Sequence, residues 1–172
     1  MKRLLVVVDM QQDFVSGALG TAQAREILTR VQEKIRTARD EAISLAYTMD
    51  THQPDYLNTL EGKKLPVVHC VEGTAGWALC PELSGLLEGA KAFRKPSFGS
   101  VELGEYVTNE GFGSVELVGV CTGICVISNA VLIKAFAPET EVVVDGTLCA
   151  CVSRESHQTA LKAMELLQVT IV

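Results

Sequence analysis

The sequence predicts an α/β fold: one domain over residues 1–172, built on a doubly wound, mainly parallel six-stranded sheet with helices on both faces. Three observations point there. Short β-branched runs alternate with segments of helical period along the whole chain, the pattern of β-α-β units joined by right-handed crossovers. The first run, Arg3–Val8, is apolar at every position after its arginine, as a strand buried on both faces requires; a half-exposed strand would alternate. Hydrophobic residues make up 48% of the 172 and aromatic ones only 5%, which suits an aliphatic core of single-domain size.

The elements follow in order. Residues 21–40 carry Ile27, Leu28, Val31 and Ile35 at helical spacing, giving one apolar stripe to lay against the sheet. Residues 42–48 and 65–70 read as the second and third strands, separated by a polar loop. A proline near its first position opens a predicted helix over 81–87. A short strand at 91–94 and a helix over Val101–Glu110 come next. Residues 115–120 form a strand and 123–136 the helix behind it; a strand at 141–144, a helix over 153–167 and a last strand at 168–172 close the chain. No linker, repeat or low-complexity tract interrupts the series.

The net charge of -6 and the lack of a basic run exclude a nucleic-acid surface. No apolar run approaches the roughly 18 residues of a membrane span, and the opening apolar run is too short for a secretory signal. A soluble, cytoplasmic protein without nucleic-acid or membrane partners is expected. The six cysteines lie in or beside apolar strands, and neither Cys121/Cys125 nor Cys149/Cys151 has C-x-x-C spacing; reduced thiols are expected.

Polar clusters at strand ends carry the chemistry. In Val115-Glu-Leu-Val-Gly-Val-Cys-Thr-Gly-Ile-Cys125, a strand runs into a glycine-punctuated turn with Cys125 where the next helix begins. The helix N-terminus favours a thiolate there, so Cys125 reads as a nucleophile; a buried core cysteine is the alternative the segment itself leaves open. Asp9, in Asp9-Met-Gln-Gln-Asp-Phe14, is a carboxylate at the end of a buried strand. It is either a loop cap or a base able to take a thiol proton. Asp50 and His52 share one face of an extended chain. With His69 after the third strand they make a candidate three-ligand metal site; structural histidines are the plainer alternative. Lys95 is a surface lysine unless the cleft encloses it, where it would hold a thiolate and a carboxylate ionised. His157 receives no role.

Asp-x-Gln-x-Asp-Phe after strand one, Asp-x-His after strand two, His after strand three, Lys after strand four and Cys heading the next helix together resemble the isochorismatase-like cysteine hydrolases, the superfamily that contains the nicotinamidases. The resemblance runs nearly the whole chain. It implies an isochorismatase-like, Rossmann-like hydrolase fold and hydrolysis of the C–N bond of a small-molecule linear amide through a thioester on Cys125. The first candidate is nicotinamide to nicotinate and ammonia, a step of NAD salvage. It also implies Asp9, Lys95 and Cys125 as catalytic triad, and Asp50, His52 and His69 as metal ligands. Glu61 is favoured as a fourth ligand over Asn58, which stands where other members carry a third His. The implied metal is zinc, with iron or manganese as alternatives. A cis Val120–Cys121 peptide would aim the N–H groups of Cys121 and Cys125 at one oxyanion, Phe14 and Trp77 would contact the substrate, and the assembly would be a homo-oligomer.

Two positions depart from the family pattern. Gly123 stands where many relatives carry Asp, and Pro66 where an aromatic partner for the substrate ring is usual; Trp77 substitutes only if its loop folds inward, and is otherwise a loop anchor. Carbamoylsarcosine- or ureidoacrylate-type amidases and isochorismatase-type hydrolases are the competing activities. A silent binding protein or a thiol sensor using Cys121 and Cys125 are the competing classes.

Overall fold

The computed structural model describes residues 1–172. Strand β1 (Arg3–Val8) leads through a single helical turn, α1 (Gln12–Val15), into the long helix α2 (Ala22–Asp40). Strand β2 (Ser44–Asp50), the short helices α3 (Leu60–Lys64) and α4 (Pro81–Ser84), and strand β3 (Lys91–Lys95) follow. The second half alternates α5 (Val101–Glu110), β4 (Ser114–Val120), α6 (Ile127–Phe136), β5 (Glu141–Ala150), α7 (Arg154–Leu166) and β6 (Thr170–Ile171).

All six strands pair in parallel, in the order β3-β2-β1-β4-β5-β6. The chain therefore builds outward from β1 to β3, returns to β4 on the other side of β1, and builds outward again. Connections leave the sheet in opposite directions at the β1/β4 boundary, and a crevice opens beyond the carboxyl ends of those strands. Every chemical group considered below lies at that edge.

The unbroken apolar run of β1 has its cause in two cores. Leu4, Val6 and Val8 pack with Leu103, Val107, Ile133 and Met164 of α5, α6 and α7. Leu5 and Val7 pack with Ile27, Val31 and Ile35 of α2 and with Leu83 and Leu87. The helix starts are set locally. Thr21, Ser100 and Ser153 each accept a backbone N–H of the first turn of α2, α5 and α7, satisfying donors that have no partner inside the helix. Gly111 ends α5 in the left-handed conformation, φ 66°, as expected of a glycine there. No helix is long and apolar enough to cross a membrane.

The run 65–70, expected as the third strand, does not join the sheet. Pro66 cannot donate to a ladder, and Leu65 and Val68 remain exposed. The one parallel bridge nearby is made by the following Val71, with His52, so the seven strand-like runs reduce to six. The segment 122–126 is a π-turn ahead of α6 rather than its first α-helical turn. Strand β5 continues past its predicted end to Ala150, across a register shift opposite Leu117 and Gly119.

Candidate active site and metal centre

Three strand ends bring the first cluster together. Asp9 follows Val8 of β1 with φ 47°, a left-handed conformation uncommon for a residue with a side chain. Its N–H and its Oδ1 both bond the Thr48 hydroxyl, at 3.2 and 2.7 Å. Its Oδ2 has no partner except the Lys95 ammonium, at 2.7 Å. Lys95 ends β3 level with Asp50 of β2. Its Nζ lies 3.5 Å from Cys125 Sγ, 3.3 Å from Asp50 Oδ1 and 3.1 Å from the Ser97 carbonyl. At 1% exposure, this is no surface lysine.

Electrostatics follow from burial. Desolvation raises the Asp9 carboxyl, against the pull of Lys95. Lys95 is itself raised: burial works against its charge, but Asp9, Cys125 and Asp50 outweigh burial. The Cys125 thiol is pushed well up by burial and then by Asp9, with Lys95 opposing. The positive end of the turn, which favours a thiolate, is here opposed by burial and by Asp9. The low-dielectric surroundings and the neighbouring carboxylate hold the proton on sulfur, with Asp9 and Lys95 paired beside it.

The second cluster shares Lys95 with the first. Asp50, His52, Glu61 and His69 present one donor atom each, all within 4.8 Å of one another. His52 Nε2 lies 3.0 Å from Asp50 Oδ2 and 3.6 Å from Glu61 Oε1; His69 Nε2 lies 3.5 and 3.9 Å from the same two oxygens. Donors around a tetrahedral zinc, with bonds of about 2.0–2.1 Å, stand about 3.4 Å apart, so two imidazoles and two carboxylates at these spacings fit a divalent ion. His69 Nδ1 lies 2.7 Å from the Val67 carbonyl; donating there leaves Nε2 free as a ligand. Burial raises the Asp50 carboxyl, but hydrogen bonds from His52 and His69 and the charge of Lys95 hold it well below the usual range.

Several residues that sequence reasoning passed over hold this cluster in place. The Gln11 side-chain amide donates to the carbonyls of Asp50 and Trp77 and accepts the N–H of Asp50. Asp13 accepts the N–H of Cys70 at 2.8 Å, fixing the residue after His69. Tyr56, buried, sets its ring 4.6 Å from His52 and 5.0 Å from His69, and its hydroxyl donates to the Leu65 carbonyl. Gln11 and Asp13 lie inside the Asp-x-Gln-x-Asp-Phe motif, the one signal that could have found them.

Phe14 stands at the metal cluster, its ring 5.5 Å from that of His69. Trp77 has the contacts of a loop anchor: its indole N–H donates to Thr51 Oγ1 at 2.9 Å and Arg94 covers its ring. The Val120–Cys121 peptide is cis. Ahead of it, Gly119 has φ 119°, and any Cβ there would overlap the Val8 carbonyl of the adjacent strand. Glycine lets β1 and β4 close just below the site. A cavity of about 610 Å³ opens beside Glu61, Ser97 and Gly123, with apolar walls from Leu60, Leu65, Phe98 and Ile124. Its size is within the range of small-molecule sites, and Gly123 leaves one wall without a side chain.

Residues 3–172 match the family model described as the isochorismatase domain. Among solved structures, the chain is similar to the pyrazinamidase of Pyrococcus horikoshii in complex with zinc, at 27% identity and TM-score 0.86, covering 100% of this chain and 99% of that one. It shares its fold with a nicotinamidase from Bacillus subtilis, at 23% identity and TM-score 0.87 over 100% and 99% of the two chains. It also shares it with the N-carbamoylsarcosine amidase of Thermoplasma acidophilum, at 24% identity and TM-score 0.81 over 99% and 95%. No curated protein matches the sequence.

Proposed function

The chain belongs to the isochorismatase family of hydrolases, and from that premise we propose that it is a metal-assisted cysteine amidohydrolase whose best-fitting reaction is hydrolysis of nicotinamide to nicotinate and ammonia. One observation carries this reading: the Lys95 ammonium lies within 3.5 Å of a thiol, a carboxylate and a member of the ligand cluster at once. A general base, a nucleophile and a Lewis-acid site thus face one crevice.

In the proposed sequence Asp9 takes the Cys125 proton as sulfur attacks the amide carbonyl. Lys95 keeps the base ionised beforehand and the thiolate stabilised afterwards. The N–H groups of Cys121 and Cys125 receive the negative oxygen of the tetrahedral adduct. Asp9 then gives its proton to nitrogen, the C–N bond breaks, ammonia leaves and a thioester remains. Water yields a proton to Asp9 and attacks the thioester. The C–S bond breaks, the acid departs and the proton returns to Cys125.

Asp50, His52, Glu61 and His69 would hold the divalent ion, zinc in first place with iron or manganese as alternatives. When bound, it supplies Lewis-acid polarisation of water and a coordination site for the nitrogen of a pyridine ring. Phe14, beside His69, is the residue placed to pack on such a ring. The similarity to a zinc-bound pyrazinamidase supports the choice of metal and of an aromatic amide.

The test is metal analysis of the purified protein followed by ammonia release from a panel of nicotinamide, pyrazinamide, carbamoylsarcosine and ureidoacrylate, with Cys125→Ala as control. Stoichiometric metal, fast nicotinamide turnover and a folded, metal-containing but inactive variant are expected. A metal-free enzyme preferring carbamoyl compounds would move the assignment to that branch, and amidase activity retained by Cys125→Ala would refute the nucleophile.

A further inference from the structure

A second group of thiols lies one strand away from Cys125. Strands β4 and β5 pair up to Val120 and Ala150, so Cys121 and Cys151 are the next residues on adjacent parallel strands. Neighbouring strands run about 4.8 Å apart, inside the roughly 4.4–6.8 Å Cα separation a disulfide spans. The register sets the two residues side by side, one step beyond the Val120–Ala150 pair. Gly123 lies against the Cys151 sulfur: a Cβ there would stand 3.6 Å from Cys151 Sγ, an ordinary contact, and 3.3 Å from the Ala160 methyl.

We propose that Cys121 and Cys151 form a redox-modification site, closed to a disulfide by a small hydroperoxide and reopened by thiols. Cys151 is the attacking sulfur, because it lines the open cavity beside it and Cys121 does not; its thiol is also held below the usual range despite burial. Cys121 is the resolving partner; the neighbouring Cys151, burial and the nearby Cys125 and Asp9 keep it protonated. Access comes through a cavity of about 190 Å³ floored by residues 149–151 and walled by Arg30, Arg154 and His157. Neither arginine has a salt-bridge partner, so both remain available to the charge that develops on a departing oxygen.

The chemistry balances. Cys151 sulfur attacks one peroxide oxygen, the O–O bond breaks, and the departing oxygen takes the proton given up by that thiol, leaving as water (or as an alcohol from an organic hydroperoxide). Cys151 is then a sulfenic acid. Cys121 sulfur attacks it, the S–S bond forms, and the Cys121 proton leaves with the sulfenic hydroxyl as water. Two thiols are oxidised by two electrons and one peroxide is reduced. The consequence for catalysis rests on the proposed hydrolase reading. The Cys121 N–H is an assigned oxyanion donor, and a bond from its side chain to β5 shifts the turn that carries both donors.

Trypsin puts Cys121 in the fragment 95–134 and Cys151 in 135–154, so this disulfide joins two fragments whereas a Cys121–Cys125 bond stays within one. The metal-loaded protein is treated with graded hydrogen peroxide, alkylated and mapped by mass, with ammonia release measured before and after dithiothreitol. Expected are a cross-linked pair in the wild type and none in Cys151→Ser. With it should come a loss of turnover of about tenfold to a hundredfold, as displaced catalytic donors cause, reversed by the reductant. Wild-type protein that forms only a Cys121–Cys125 bond, or oxidises at Cys125 with no joined fragments, overturns the site. Joined fragments with unchanged turnover overturn the regulatory consequence. Because the mapping needs no substrate, it stands even if the hydrolase reading fails.

Discussion

Replacing Lys95 with Met keeps the unbranched stem and deletes the charge on which both carboxylates depend. With oxygens at 2.7 and 3.3 Å, the two attractions are about 6 and 5 kcal/mol at an effective dielectric constant of about 20, before the opposing cost of burying the ions. Removing one partner of a buried pair leaves a net loss of about 3–5 kcal/mol. For a chain of this size that is a fall in Tm of roughly 6–20 °C. The deficit depends on pH. Burial already raises the Asp9 carboxyl, and loss of the ammonium raises it further, so the folded state binds a proton more tightly than the unfolded chain. Stability then falls as pH rises through the raised folded pKa and is recovered on acidification towards the ordinary carboxylate range. Thermal unfolding of metal-loaded wild type, Lys95→Met, Asp9→Asn and the double variant gives the cycle. The double variant should be less destabilised than the sum of the singles by about 1–3 kcal/mol. A Tm within about 2 °C of wild type for Lys95→Met, or strict additivity, would refute the shared-cation account.

The remaining predictions follow from other contacts. Gln11→Ala frees both backbone groups of Asp50 and should weaken zinc binding about 10–100-fold, read by competition with a chromogenic chelator; unchanged affinity would remove Gln11 from the site's support. Gly119→Ala drives a methyl into the Val8 carbonyl at a positive φ and should cost about 2–4 kcal/mol, a Tm loss of roughly 4–16 °C, or yield insoluble protein. Stripping metal from the wild type should abolish ammonia release and lower Tm by roughly 5–10 °C, since a ligand at a hundred times its Kd stabilises by about 2.7 kcal/mol. Added zinc should restore both, and a chelated protein that stays active would count against metal assistance.

Much of this architecture is visible in the one-dimensional pattern, for physical reasons. β1 declares itself because a strand buried on both faces must be apolar throughout, β4 because its apolar end runs into the glycine-punctuated turn, and α2 and α5 because their stripes and caps are local. The segment 65–70 misleads because its apolar run suggests a strand, whereas its backbone carbonyls at Leu65 and Val67 hold Tyr56 and His69 and Pro66 bars it from the ladder. β5 reads short because Asp145-Gly146-Thr147 breaks the apolar pattern, although the strand runs through it beyond a register shift. At the site, the charged and nucleophilic residues stand out as polar groups at strand ends, and the fold does bring them together. Gln11, Thr48 and Tyr56 do not stand out. Gln11 and Thr48 act across 39 positions of sequence, Tyr56 packs its ring on both His52 and His69, and no local period encodes such contacts. The protonation of Cys125 was also out of reach, since it depends on how completely the crevice excludes water.

The strand order also governs how the molecule comes off the ribosome. Asp9, Asp50, Glu61, His69 and Lys95 belong to the first three strands and their loops, whereas Cys125 arrives only after the chain has crossed back behind β1. The 30 positions between Lys95 and Cys125 take roughly 2–6 s to translate at about 5–20 residues per second. Oxygen and nitrogen donors are thus available to a passing cation before the site's own sulfur exists to compete for it. The nucleophile is thus delivered to a nascent chain whose other site residues have already been made.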